Sequence, residues 1–483
     1  MLVYKVEPLR SIVENRIIKP FKRSKANMLA RGVDPLTRCG YTLVMKNLRL
    51  LCVGDAFIAR RIGVYGGEPD IAPLFKRIKD ADVSFINVEI AIHSFEGYPI
   101  GEGKYDAYGQ ADPIVADDLK EIGFDICSCA NNHAMDYSEG GLRATIGNLD
   151  RVGIAHSGSG MNLAEAREPA FLDTPQGVVS LVSASTWNLG YAGQQRNNLP
   201  GRPGVNPLQF DRVYHLKPEH WEQFKGIVGA LDHGADIFVN EPKFIRFPDR
   251  QTKFMKGAET RREYVPKKAD LDGNLRALKD ARSLSDWAFF SLHDHYTGVH
   301  APKGYRNLEL PPDEVRDFAH KAIDAGADAY LGHGPHVMRG IEIYKEKPIF
   351  YSLGNFVFQS TLIRRQPADL FDLWGMTGEQ TTVELYEKRE APPAVFFDDP
   401  SYWESFVAEV EYAEGKLKEI HLIPIVLDYD QKKPLSEQRT TAGVPRLAKG
   451  RQAKKIIDDL SHLSSLYGTE VEYKGGMGII TTK

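Results

Sequence analysis

Six of the 14 histidines, His293, His295, His300, His320, His333 and His336, fall within the 44 residues from 293 to 336, where an even spread would place about one. His293 and His295 stand two apart at the carboxyl end of an apolar run, so a strand there would turn both imidazoles to one side of a sheet. His333 and His336 lie in LGHGPHV, where Gly and Pro let the chain turn just beyond a second strand. Three further run ends carry polar groups: Asp55 after LLCVG, Glu89 in INVE, and Asn132 and His133 in SCANNHAMD. Carboxylates, an amide and imidazoles together form the mixed ligand set expected for one or two Mn, Zn, Fe or Mg ions. Each has a plainer reading in isolation: Asp55 as a turn or helix cap, Asn131-Asn132 as left-handed turn residues, and Asp136 as a cap before Glu139. Their shared position at strand ends favours the metal reading, because ligands of open α/β sheets collect outside the carboxyl ends of strands.

Such a site requires alternating strands and helices, and the sequence supplies them. Apolar runs at LRLLCVG, DVSFINVE (82–89), FDICSCA (124–130) and VVSLVSAS (178–185) predict buried strands. Helical patterns at 70–81, 113–123 and 139–153 separate them; in the last, Leu142, Ile146 and Leu149 share a face and Gly153 marks the stop. The alternation predicts an α/β fold with a mostly parallel sheet. Residues 186–210, rich in Asn, Gly, Gln and Pro, are expected to border a substrate site. Further helices are expected near 218–232, 268–283 and 312–325, with strands at ADIFVN, 286–293 and 328–332 and a hairpin over GIEIYKEKPIFYSL. The organisation expected is an N-terminal arm (1–46), a core (47–359), a lid-like insertion (360–403), and a C-terminal hairpin and helix (404–483) completing the core.

Composition narrows the function. With 61 Lys and Arg against 65 Asp and Glu, the net charge of −4 offers no general basic field for nucleic acid. The runs KPFKRSK and RLAKGRQAKK read as solvated faces. Cys39, Cys52, Cys127 and Cys129 form no CxxC pair and are too few for a disulfide framework. The first 25 residues break every apolar cluster with Lys, Glu, Arg or Asn, unlike a signal peptide, and no run is long enough for a membrane helix. A cytoplasmic protein is expected. The Rossmann GxGxxG setting and the GxSxG nucleophile elbow are both missing.

The stretches LLCVGD, INVEIAI, ANNHAMDYSEGGLRATIGNLDRVGIAHSGSG, SLHDH, AIDAGADAYLGHGPHVMRGIEIYKEKPIFYSLGNFVF and LSSLYGTEVEY resemble, in this order, the CapA family of poly-γ-glutamate capsule synthesis proteins. That family is similar to calcineurin-like metallophosphoesterases, which implies a four-layer αββα sandwich with metals at one edge of its two central sheets. By this resemblance Asp55 is the first metal carboxylate, Glu89 takes the place of a bridging Asp, and Asn132 is a metal ligand. His133 is the neighbouring acid or transition-state stabiliser, while His293 and His336 are histidine ligands. Two departures stand out. The usual Asp-x-His is Asp55-Ala56-Phe57, lacking one imidazole, and Gly334-Pro335-His336 leaves His333 as a displaced candidate, either a metal ligand or a residue supporting the ligands from behind.

The leading expectation is a metal-dependent, hydrolase-like enzyme acting on a glutamyl polymer, peptide or phosphoester. Asp55, Glu89, Asn132, His293 and His336 would hold metal, and His133 or His295 would move the proton. A peptide Cα epimerase using the same metal and histidines is the second reading. A non-catalytic partner of a polymer ligase is the third.

Overall fold

The structure is a computed structural model that describes residues 47–482 apart from 102–106, 188–189, 232–238, 242–243, 247–251, 299–300 and 390–397. The expected N-terminal arm, Cys39, KPFKRSK and His300 lie outside the described residues. The expected alternation begins with β1 (Leu48–Phe57), α1 (Ala72–Asp80), β2 (Val83–Val88) and α2 (Ile114–Ile122). It continues through β3 (Ile126–Ser128), α3 (Ser138–Val152), β4 (Ala155–Ser157) and β5 (Gly177–Ser185). After α4 (Lys268–Leu284) come β6 (Trp287–His293), α5 (Asp313–Asp324), β7 (Ala329–His333) and β8 (Asn355–Phe358). Helix α6 (Thr382–Arg389) precedes the long hairpin β9 (Glu404–Ala413) and β10 (Lys416–Leu427), and α7 (Gly450–Ser465) follows it.

These strands form two mixed sheets rather than one mostly parallel sheet. In the first, β1, β2, β3 and β4 run parallel in that order. The other side of β1 is shared: its first half pairs antiparallel with β9, Leu48 opposite Tyr412, and its end pairs parallel with β8, Asp55 opposite Asn355. In the second sheet β5, β6 and β7 are parallel, with His293 opposite His333, and antiparallel strands lie at both edges.

Strand periodicity explains the core. Because successive side chains face opposite ways, Leu50 and Cys52 of β1 join Leu181, Phe289 and Leu331 of the second sheet in one apolar cluster. The intervening Leu51 and Val53 pack instead with Leu74 and Ile78 of α1 and Leu119 of α2. On the second sheet Val182, Phe290 and Leu292 pack with Leu278 of α4 and Phe318 of α5. Strands buried on both faces are continuously apolar, which is why their sequences lack alternation.

Of a further five-stranded sheet, built from strands between Phe210 and Pro266, the sequence reading marks only ADIFVN, whose last two residues lie in the strand Val239–Glu241. Within the stretch expected to be a lid-like insertion, Leu370, Phe371 and Leu385 are buried with Ala91, Tyr108 and Tyr137, and Tyr386 joins the core beside α1 and α2. The thiols of Cys52, Cys127 and Cys129 are buried and unbridged. The second basic run is an ion-paired surface, with Arg446 on Glu68 at 2.7 Å and Lys455 on Glu404 at 2.6 Å. Among the described residues no helix is long and apolar enough to cross a membrane.

Candidate metal centre

The carboxyl ends of β1, β2, β6 and β7 converge, and the polar residues they carry meet there. Gly54 makes this possible at β1: the backbone of Gly354 comes so close that a Cβ would collide with its carbonyl, and Asp55 N–H donates to that carbonyl at 2.9 Å. Asp55 is fully buried. Its Oδ1 accepts from Asn87 Nδ2 at 2.8 Å and its Oδ2 from the Gly334 N–H at 2.9 Å. Gly334 has φ +118° and sits against the Asp294 backbone, a position that a side chain would block. Around Asp55 stand His333 Nδ1 at 3.4 Å, His336 Nδ1 at 3.5 Å and His293 Nδ1 at 3.7 Å. Burial works against its charge, but His333 and the adjoining imidazoles outweigh it and hold the carboxyl well below the usual range.

Glu89, also fully buried, follows β2 and places Oε1 3.4 Å from His293 Nε2 and 3.7 Å from His336 Nε2. His293 has imidazole nitrogens close to both of its own: His295 Nε2 at 2.9 Å from Nε2 and His333 Nδ1 at 3.0 Å from Nδ1. Asn132 Oδ1 lies 2.8 Å from His293 Nε2. Burial, then the neighbouring His295, pushes the His293 pKa well below its ordinary value, so the ring stays neutral and ligand-competent.

The donor chemistry fits a divalent metal. Three sets of ligand atoms each lie within 4.8 Å of one another: Asp55, His293 and His333; Glu89, His293 and His295; and Asp55, Glu89 and His336. Facing imidazole nitrogens cannot all donate to one another, and a shared cation resolves that conflict. The sequence-derived ligands Asp55, Glu89, Asn132, His293 and His336 are therefore brought together, and His295 and His333 lie among them. The position of the absent imidazole is also accounted for. Phe57 packs edge-on against the His133 ring at 4.6 Å and contacts Phe358, forming an apolar floor.

His133 Nδ1 lies 2.8 Å from Asp136 Oδ2, an arrangement that fixes the ring and its tautomer. Asp136 thus serves His133 and also accepts the Gly109 N–H, instead of capping α3, whose N-cap is Tyr137. Asn131 and Asn132 do not adopt positive φ. Asn131 bridges to β2, donating to the Val88 carbonyl at 2.7 Å and accepting the His133 N–H at 3.2 Å. Thr186 and Trp187, at the start of the 186–210 segment, reach the site, with Thr186 N–H donating to the His293 carbonyl and Trp187 edge-on to His295.

Three amides support these groups; sequence reasoning passes over Asn87, reads Asn131 as a turn residue, and reads Asn355 in YSLGNF as part of the site floor or of a half-buried strand. Asn87 holds Asp55, Asn131 ties the Asn-His loop to β2, and Asn355 Oδ1 lies 2.9 Å from His336 Nδ1. Their signal was an amide inside an otherwise apolar buried strand or next to a ligand, where a polar group needs a partner. A cavity of about 370 Å³ opens onto the centre, with Asn132, His133, His295 and His336 along one wall.

The family described as bacterial capsule synthesis protein PGA_cap matches residues 49–360. The uncharacterised protein y4sH of Sinorhizobium fredii is 35% identical over 463 residues, spanning 93% of this chain and 96% of that protein. PGA biosynthesis protein CapA of Bacillus subtilis is 26% identical over 279 residues, 57% of this chain and 54% of its own length. A solved structure, of a hypothetical protein from Thermus thermophilus, has a TM-score of 0.37 at 13% identity, covering 78% of this chain and 98% of that one. With the match extending from β1 through β8, and so across every strand end at the site, the chain belongs to the PGA_cap family of bacterial capsule synthesis proteins.

Proposed function

We propose that this chain is a metal-dependent, hydrolase-like enzyme acting on a glutamyl polymer, a peptide or a phosphoester, on a four-layer αββα sandwich of the metallophosphoesterase type. The observation that carries the reading is Glu89, whose Oε1 lies near both His293 Nε2 and His336 Nε2. One ligand set would be Glu89, Asn132 and His293, and the other Asp55, Glu89 and His336, with His333 beside both Asp55 and His293. One or two ions of Mn, Zn, Fe or Mg held there would act as Lewis acids and bring the pKa of water down towards ~7.

The chain's own residues supply the rest. Asp136 fixes Nδ1 of His133, so proton exchange falls to Nε2. His295, half-buried beside Trp187, lines the same cavity and is the second proton carrier. Phe57, Phe358 and Leu308 keep that cavity apolar, which strengthens electrostatic contacts with a substrate. In this reading residues 47–359 and 404–483 form the core, 360–403 covers the site, and the buried thiols fit a reducing cytoplasm.

Two imidazoles on one cavity also suit a peptide epimerase, in which one removes a Cα proton and the other returns it. Isotopes separate the two reactions. Hydrolysis in ¹⁸O-water labels the product, whereas epimerisation in deuterium oxide adds one deuterium without a change in chain length. The purified protein is expected to hold about one to two divalent ions, and His133→Gln to slow turnover by about 10²- to 10⁴-fold with metal retained. Metal content near zero after reconstitution overturns the metal reading. Full metal with neither label, on a γ-glutamyl oligomer, an α-peptide and a phosphoester, leaves the partner of a polymer ligase as the function.

A further inference from the structure

The 360–403 segment does more than cover the core. It contributes Ser360, Arg389 and Tyr402 to the cavity that opens onto the metal centre. Arg389 sits in the last turn of α6, a helix anchored by buried Leu385 and Tyr386. Its guanidinium carbon lies 4.9 Å above the Tyr386 ring, which restricts the swing of a long side chain. Glu387 of the same helix accepts from the Ser436 N–H and hydroxyl, tying α6 to a second loop. Tyr402, at the other end of the segment, offers its carbonyl to Asn355 Nδ2 at 3.0 Å, and Asn355 Oδ1 in turn faces His336. The cavity wall is therefore fixed to the ligand-bearing loop.

We propose that Arg389 makes this cavity a receptor for an anionic oxygen group, carboxylate or phosphate, carried by the substrate next to its reacting bond. Arg389 is the one Lys or Arg among the described residues lining the cavity, and most of the others are apolar or aromatic. A guanidinium keeps its charge at all physiological pH values, and its planar fork matches two oxygens of a carboxylate or phosphate. Against apolar walls that attraction is less screened than on an open surface. A volume of about 370 Å³ admits one or two units of a chain rather than a folded surface, so the anion must belong to the unit being processed or its neighbour. Arg389 is a specificity-determining residue. The inference deepens the hydrolase-like reading, and rests on it for the identity of the reacting end.

The test is calorimetric titration of the full-length, metal-reconstituted protein with two matched probe pairs: a γ-glutamyl trimer against the same trimer with every carboxyl amidated, and N-acetyl-O-phosphoserine amide against N-acetylserine amide. Metal content is measured on the same samples. Arg389→Gln is expected to weaken binding of the trimer, of phosphoserine or of both by tenfold or more, on the order of a lost charge-assisted pair. The neutral partners should bind as before, and Arg389→Lys should recover part of the loss. Whichever charged probe loses more identifies the carboxylate or the phosphate as the group recognised. Unchanged binding of both charged probes in Arg389→Gln, equal loss of charged and neutral probes, or no binding of either charged probe to the parent overturns the proposal. Arg389-dependent binding in protein that holds no metal would keep the anion site and remove the metal reading.

Discussion

At the residue scale, the decisive choice is which histidines face the carboxylates. His293 and His336 lie within 3.7 Å of Glu89, whereas His320 stacks on Tyr344 and lies 3.1 Å from Glu342. His293→Ala and His336→Ala should each reduce bound metal at least severalfold, and His320→Ala should leave it at the parent level, as read by elemental analysis after dialysis. Equal loss in all three would place the metal elsewhere. The candidate ligands were legible as candidates because each lies at or just beyond the end of an apolar run, where a carboxylate or imidazole is conspicuous. The amide that holds Asp55 was not. Asn87 sits within the run VSFINV, and nothing in the run itself reports that its neighbour across the sheet is Asp55.

At the scale of elements, the two loops bearing histidines are joined by a buried ion pair. Asp294, between His293 and His295, accepts from Thr186 Oγ1 at 2.8 Å and meets Arg339 Nη1 at 3.4 Å. Arg339, three residues after His336 and fully buried, also donates to the carbonyls of Tyr296 and Leu308. Burial raises the Asp294 pKa and lowers that of Arg339, so each charge depends on the other. Arg339→Ala should therefore destabilise the fold by about 3–5 kcal/mol, and adding Asp294→Asn should recover part of it. Urea unfolding of the two single variants and the double variant measures the coupling, and strict additivity would argue against it. A second element-scale outcome concerns residues 362–402. Their deletion uncovers Ala91, Tyr108 and Tyr137 and removes the carbonyl that holds Asn355. Exposing an alanine methyl and the faces of two tyrosine rings costs on the order of a few kcal/mol, so the shortened chain should melt lower and lose metal. An unchanged midpoint would make the segment dispensable. The sequence marked this stretch as irregular from its Pro and charge content, but short helices anchored by three or four apolar residues carry little periodic signal. Most strands between Phe210 and Pro266 were missed for a related reason: Phe210–Leu216 is mostly half-buried and has charged residues within it, so neither alternation nor a continuous run stands out.

At the scale of the whole molecule, stability should carry a signature in acid. Glu342 is buried, which opposes its charge, yet Tyr351 OH at 2.5 Å, His320 and Arg316 outweigh this and hold its carboxyl below its ordinary 4.5. A depressed folded-state pKa stabilises the fold above the ordinary value, and that contribution is lost as pH falls through the folded value. Glu342→Gln should thus lower stability at neutral pH by about 1–3 kcal/mol and flatten the decline below pH 4.5, as followed by thermal unfolding across pH. Parallel curves for the parent and the variant would remove Glu342 from the account.

The pairing of β1 has a consequence in time. Its first half is hydrogen-bonded to β9, with Leu48 opposite Tyr412, a partner made about 360 residues later. At about 5–20 residues per second, a ribosome takes on the order of 20–70 s to deliver that partner. Throughout that interval one edge of Leu48–Cys52, buried in the folded chain at every position but Arg49, is open to any extended chain nearby. The metal centre shares this delay, because Asn355 and His336 also arrive late. The candidate ligand set is complete only once His336 has been made, and the interval before then is when a chaperone has most to protect.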